Sequence, residues 1–194
     1  MEFKALTAFL INMGNTDSSP MTNDKPGPLA LEANGLFERG FIEAAVAKYK
    51  RSYDLYKEAG SFSSAGKSLR LAAEVGLQTP IPDYELAATA FEEVGTLYLK
   101  NKITVFSVKS AYANSIFCLL AAGRIATAKG KYTDFVNLDS QFESSIEGVA
   151  SKAILEAYQN GNRNQALDCV EAFKDVQPLP QWRSSLLGKI VERL

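Results

Sequence analysis

Beyond residue 28, apolar side chains recur three and four positions apart, and the runs they form are separated by short polar breaks. That spacing predicts a succession of amphipathic helices. The first spans residues 30–39. The second spans 41–57, where Ala45, Tyr49, Tyr53 and Tyr56 stack on one face. Gly60 stops it, Ser63 is the expected N-cap of a helix over 64–75, and Gly76 closes that helix. Asp83 is expected to cap a helix over 84–99, which Asn101 ends. A helix over 105–121 breaks at Gly123. Two short helices are expected over 124–128 and 132–138, then a long one over 140–160 with Gly161 as its left-handed stop. Residues 164–175 and 182–194 complete the series. The pairs Pro80/Pro82 and Pro178/Pro180 fall between helices, where a missing backbone N–H does no harm. Period-two alternation is scarce, and residues 102–108 are the one weak candidate for a strand.

The beginning of the chain breaks the pattern. Residues 1–13 are mostly apolar with one basic residue, Lys4, and run into a Gly14-Asn15-Thr16-Asp17 turn rather than a cleavage site. A short helix over 1–14 is expected. Residues 15–28 hold Pro20, Pro26, Gly27 and Pro28 among small polar residues, which reads as a linker. No run approaches the ~18–20 apolar residues of a membrane span.

Two of the helices repeat one another. Glu43, Ala45, Tyr49, Leu55 and Tyr56 return 42 residues later as Glu85, Ala87, Phe91, Leu97 and Tyr98. A small residue followed at i+4 by an aromatic suits a helical hairpin: the small side chain admits a neighbouring helix and the ring fills the space beside it. Two helices per period of about 40 residues predict an all-α, tetratricopeptide-like solenoid. An irregular helical bundle is the alternative.

Composition narrows the function. The 194 residues are 46% hydrophobic and 22% charged, which suits a folded domain. With 21 basic and 22 acidic residues the net charge is −1, so the chain as a whole is no nucleic-acid binder. There is no histidine, which removes the commonest general base and metal ligand. Cys118 and Cys169 form neither a zinc pattern nor a disulfide framework; they read as small core residues of a reduced, cytoplasmic protein. No phosphate-binding loop, nucleophile motif or acid/base pair is present, so no catalytic residue, cofactor or metal is expected. Attention falls instead on basic residues. Lys67 and Arg70 share a face of one helix. Lys109 lies on the second helix of the following hairpin, and second helices of successive hairpins line one side of a solenoid. A basic stripe there would attract an acidic helical partner; the alternative is ordinary solvated lysines.

The residues then become recognisable. Ile42-Glu43-Ala44-Ala45 to Tyr49, with Ser52-Tyr53-Asp54-Leu55-Tyr56-Lys57, resembles the "IEKAIxxYExSADYYK" repeat of soluble NSF attachment proteins (SNAPs). Ser63-Ser64-Ala65-Gly66-Lys67 resembles "SSANK", Tyr84 to Thr96 resembles "YxKAIxIYEQVGT", and Phe106 to Lys109 resembles "YSAK". Leu155-Glu156-Ala157 resembles "LLEA", and Leu179 to Trp182 resembles "LDQW". These six islands, in order, cover residues 40–190. The resemblance implies hairpin repeats over 29–138, a compact helical bundle over 139–194, and a non-enzymatic adaptor of vesicle fusion, peripheral on membranes through its partners. The family binds the SNARE four-helix bundle and recruits NSF, the AAA ATPase that disassembles it. Lys67 matches a basic position of the family's SNARE-binding face, Lys109 matches a family lysine, and Arg70 joins them by geometry alone. Glu156 matches an acidic position that meets NSF, and Leu194 stands where a tail leucine would act.

The departures shape a second set of expectations. Family members are longer before the repeats and end in an acidic tail, so the chain reads as truncated or divergent. Gln159, Asn160 and Pro180 stand where the family is acidic. Arg183, Lys189 and Arg193 make the last helix basic, a sign expected to repel a basic motor surface. Weak NSF activation follows, and a chain that occupies SNAREs without firing NSF is one form of it. A tetratricopeptide-like scaffold for another helical or peptide partner is the alternative function.

Overall fold

Helices form where the apolar period is 3.6, and their ends are set by local chemistry that the period does not record. The computed structural model describes residues 24–100 and 104–194; the expected helix over 1–14 and most of the linker lie outside the described residues. The described residues form nine α-helices and no strand: α1 (Pro26–Glu38), α2 (Ile42–Glu58), α3 (Phe62–Gly76), α4 (Tyr84–Leu99), α5 (Val108–Ala121), α6 (Ile125–Leu138), α7 (Ile146–Gln159), α8 (Arg163–Val176) and α9 (Gln181–Glu192). Where the candidate strand over 102–108 falls on described residues it is not formed: Val105–Ser107 is a 3-10 turn leading into α5.

Four boundaries differ from the sequence reading. α1 begins at Pro26, inside the segment read as linker, because prolines in a first turn lose no helical bond and carry a φ already suited to helix. The Pro26 carbonyl is also held on α2 by the Ser52 hydroxyl, 2.7 Å away. α3 starts at Phe62, so Ser63 is a first-turn residue and not the cap; the Ala65 amide already donates to the Ser61 carbonyl. The two short helices expected over 124–138 are one helix, α6. A glycine inside a helix, here Gly130, costs only about 1 kcal/mol, less than burying Ala128 and Phe135 on one face returns. The long helix expected from residue 140 starts at Ile146. Before it, Asp139 accepts from the Gln141 amide at 3.0 Å, and Ser145 caps the Gly148 amide at 3.0 Å. Short polar side chains here satisfy the backbone in a turn and displace the helical ladder. Asp83 does cap α4, through the Leu86 amide at 2.9 Å, and Gly161 follows α7 with φ +63°.

α2–α3 and α4–α5 are successive helical hairpins, and Ala45, Tyr49, Ala87 and Phe91 are all buried within them. Close approach is set by two glycines. A Cβ on Gly66 of α3 would fall 2.5 Å from the Tyr98 ring, and one on Gly95 of α4 would fall 2.3 Å from the Tyr112 ring of α5. Each aromatic thus lies directly on the backbone of the preceding helix. A small apolar cluster of Ala33, Ala45, Tyr49, Ala72 and Val75 joins α1 to α2 and α3. The main core runs without interruption from Tyr53 to Val191. Three ring contacts carry it along: Tyr112 stacked on Phe135 at 4.0 Å, Phe117 against Phe173 at 6.0 Å, and Phe91 stacked on Trp182 at 5.9 Å. The last of these seats the start of α9 on α4.

Candidate functional site

The sequence places a stripe of polar residues along α3 at i, i+4, i+7 and i+11: Ser63, Lys67, Arg70 and Glu74. Their opposite face is buried through Ala65, Leu69, Ala72 and Ala73. The stripe forms one wall of a cleft of about 430 Å³. Ser107, Ser110 and Asn114 at the start of α5 form the second wall, and Trp182 and Arg183 of α9 close the third side. The second helices of two successive hairpins therefore face one cavity.

Lys67 is exposed at this cleft. Arg70 turns along its own helix and pairs with Glu74, with the Tyr98 hydroxyl in range of the guanidinium. Burial works to lower the Arg70 pKa, and the charge and hydrogen bonding of Glu74 and Tyr98 together outweigh it, so the net direction is up. Burial raises the Glu74 carboxyl, against the pull of Arg70 and Arg183. Lys109 is not among the cleft residues: half-buried on α5, it donates to the Gln141 side-chain oxygen at 3.2 Å. The structure thus brings Lys67 and Arg70 together and points Lys109 to the turn before α7. Glu156 is exposed on α7, while Leu194 packs partly buried on the main core.

Arg183 corrects the reading of α9 as an exposed basic helix. It is only 5% exposed, lies over the Phe117 and Phe173 rings at 5.7 and 5.1 Å, and leaves Nε and Nη2 without a hydrogen-bond partner. Burial lowers its pKa to about 10, with Glu147 and Glu74 opposing the shift. Lys189 is paired with Glu192 at 3.1 Å, and the Arg193 guanidinium lies against Gly123. Of the three cations expected to repel a motor surface, one is inside the protein and one is compensated. Glu74 and Asn114 also line the cleft, and no motif in the sequence marks them. The only signal for Arg183 was its place directly after the motif Trp182.

Among the described residues no helix is long and apolar enough to cross a membrane. The family profile described as "Soluble NSF attachment protein, SNAP" matches residues 8–194, which includes the 15–28 segment that the motif islands left out. The chain is similar to beta-soluble NSF attachment protein of Bos taurus, at 29% identity over 77% of this chain and 49% of that protein. It is similar at 28% to alpha-soluble NSF attachment protein of Mus musculus, over 77% and 50% of the two chains. It is also similar at 26% to vesicular-fusion protein SEC17 of Coprinopsis cinerea, over 77% and 51%. The chain spans about half the length of these relatives. With hairpin helices, the buried Ala/aromatic repeat and a match over nearly the whole sequence, the chain belongs to the soluble NSF attachment protein family.

Proposed function

We propose that this protein is a vesicle-fusion adaptor that grips the SNARE helical bundle through the α3/α5 side and hands it to an NSF-type ATPase. The observation that carries the reading is Lys67: a family-matched cation, exposed at a cleft built from the second helices of two successive hairpins. Lys109, on α5 outside the cleft and held by Gln141, adds a second cation on this side, and Arg70, already paired with Glu74, contributes less free charge. An acidic rod is attracted to such a face over a range set by salt, about 8–10 Å at physiological ionic strength. The adaptor performs no chemistry itself and reaches membranes through its partners.

On the motor side, Glu156 offers one exposed carboxylate, and Leu194 offers a terminal apolar contact that is already partly packed. Neutral Gln159 and Asn160 follow Glu156 at the end of α7. Attraction to a basic motor surface is accordingly weak, and SNARE binding is expected to exceed NSF stimulation. Reversal of two charges tests the first half. Lys67→Glu with Lys109→Glu should weaken capture by an assembled SNARE bundle strongly at low salt, with the difference shrinking as salt rises. Unchanged capture by the double variant would return these lysines to plain solvated surface. A disassembly assay with NSF tests the second half, and full release by this chain would overturn the weak-motor reading.

A further inference from the structure

The cleft carries more positive charge than it neutralises. Lys67, Arg70 and Arg183 face it with a single carboxylate, Glu74, and Glu74 is committed to Arg70. Arg183 is the unusual member. Folding strips its hydration; two aromatic faces and the charges of Glu147 and Glu74 compensate only in part, and Nε and Nη2 are left unpaired. An apolar side chain of similar length would fill the same space at lower cost. Next to it in the cleft, Asn114 is 3% exposed with its Oδ1 also unpaired. Unsatisfied buried groups on a cavity wall are groups that a ligand can satisfy. The cavity volume is within the range of small-molecule sites.

The donors and the acceptor differ in what they would take. Lys67 and Arg183, with Ser63, Ser64 and Ser110 also lining the cleft, supply donors that match the several acceptor oxygens of a phosphoryl group. The Asn114 Oδ1 is an acceptor and requires a donor, which the fully ionised phosphoryl group of an ester lacks and an alcohol supplies. We propose that the cleft binds a phosphorylated polyol, its phosphoryl group between Lys67 and Arg183 and a free hydroxyl donating to Asn114. Lys67 is then shared between this ligand and an acidic protein partner, so the two would compete for it. The ligand site itself does not depend on the adaptor reading, because its test needs this chain alone.

Titration calorimetry and thermal unfolding of the full chain with inositol 1,4,5-trisphosphate, pyrophosphate and unphosphorylated inositol test the proposal. The trisphosphate is expected to bind and raise Tm, pyrophosphate to bind more weakly, and inositol not to bind. Vesicles bearing phosphatidylinositol 4,5-bisphosphate separate a lipid headgroup from a soluble source; capture of either supports the phosphoryl site. Lys67→Ala, at an exposed position, should weaken binding by at least about tenfold. Arg183→Met should do the same while leaving the Tm of the unliganded protein equal or higher, because it removes an unpaired buried charge. Asn114→Ala should narrow the preference for the trisphosphate over pyrophosphate. The proposal is overturned if neither the trisphosphate nor the vesicle binds below millimolar concentration, or if Lys67→Ala and Arg183→Met bind like the unaltered chain.

Discussion

Gly95 shows how one missing methyl group fixes a helix pair. The Tyr112 ring occupies the place of its absent Cβ, and that ring cannot retreat: it is fully buried, stacked on Phe135 at 4.0 Å and edge-on to Phe142 at 6.0 Å. Gly95→Ala is expected to destabilise by about 1–3 kcal/mol, the ordinary cost of overpacking, seen as a lower urea midpoint with an unchanged slope. Nothing in a one-dimensional pattern announces this contact, since glycine in a helical run reads only as a poor helix former. The repeat of Ala45/Tyr49 in Ala87/Phe91 was legible because both members of each pair sit on one helix; Gly66/Tyr98 and Gly95/Tyr112 join different helices. Tyr112 carries a second consequence. Its hydroxyl is buried without a partner, and burial raises its pKa to about 12. The folded state thus favours the neutral phenol, which adds stability below pH 10 that is lost as pH rises toward 12. Two units correspond to about 2–3 kcal/mol. Tyr112→Phe should leave stability at pH 7 unchanged or slightly raised and should remove this part of the alkaline loss, measured as the difference between the two chains' Tm profiles from pH 9 to 12.

For whole elements, the apolar period located every helix among the described residues and misjudged where local polar chemistry competes with it. The gap expected between residues 128 and 132 does not open, because the buried Ala128 and Phe135 hold α6 through Gly130. Ser140 was read as a helix start, although Asp139 and Ser145 bind the backbone into a turn. The basic character of α9 was legible; its orientation was not, because it depends on Trp182 reaching Phe91 across nearly half the sequence and drawing Arg183 inward behind it. Tyr49 and Phe91, equivalent in the repeat, therefore have different element-level roles. Tyr49 joins α2 to α1, with its hydroxyl donating to Asn34, and Phe91 joins α4 to α9. Each truncation to Ala should cost about 3–5 kcal/mol. Phe91→Ala alone should also shift Trp182 fluorescence to longer wavelength in the folded protein, as the indole loses its stacking partner. Equal emission spectra for the two variants would show that α9 is held by other contacts.

Across the whole molecule, the question is whether the repeats and the C-terminal bundle behave as two units or one. The division expected at 138/139 is one that the family resemblance implies. The apolar core makes no corresponding break: Phe91 with Trp182 and Phe117 with Phe173 each join a hairpin to the helices beyond residue 139. Solenoids without such closure lose stability repeat by repeat, because each unit touches only its neighbours. Here the last helices fold back onto α4 and α5, so opening either part exposes the core of the other. Lys131 pairing with Glu92 and Arg124 with Glu85 at 2.8 Å add polar ties between α6 and α4, but these are surface pairs worth little on their own. Cooperativity is therefore expected to come from the shared rings. The chain's one tryptophan makes this measurable. Trp182 emission follows the departure of α9 from α4, whereas far-ultraviolet circular dichroism follows every helix, including α1 to α3 with their separate cluster. In urea the two signals should give coincident midpoints and a single transition. Loss of the Trp182 signal at lower urea, with much of the helical signal retained, would mean that 138/139 is a thermodynamic boundary and that the ring contacts across it are too weak to couple the two sides.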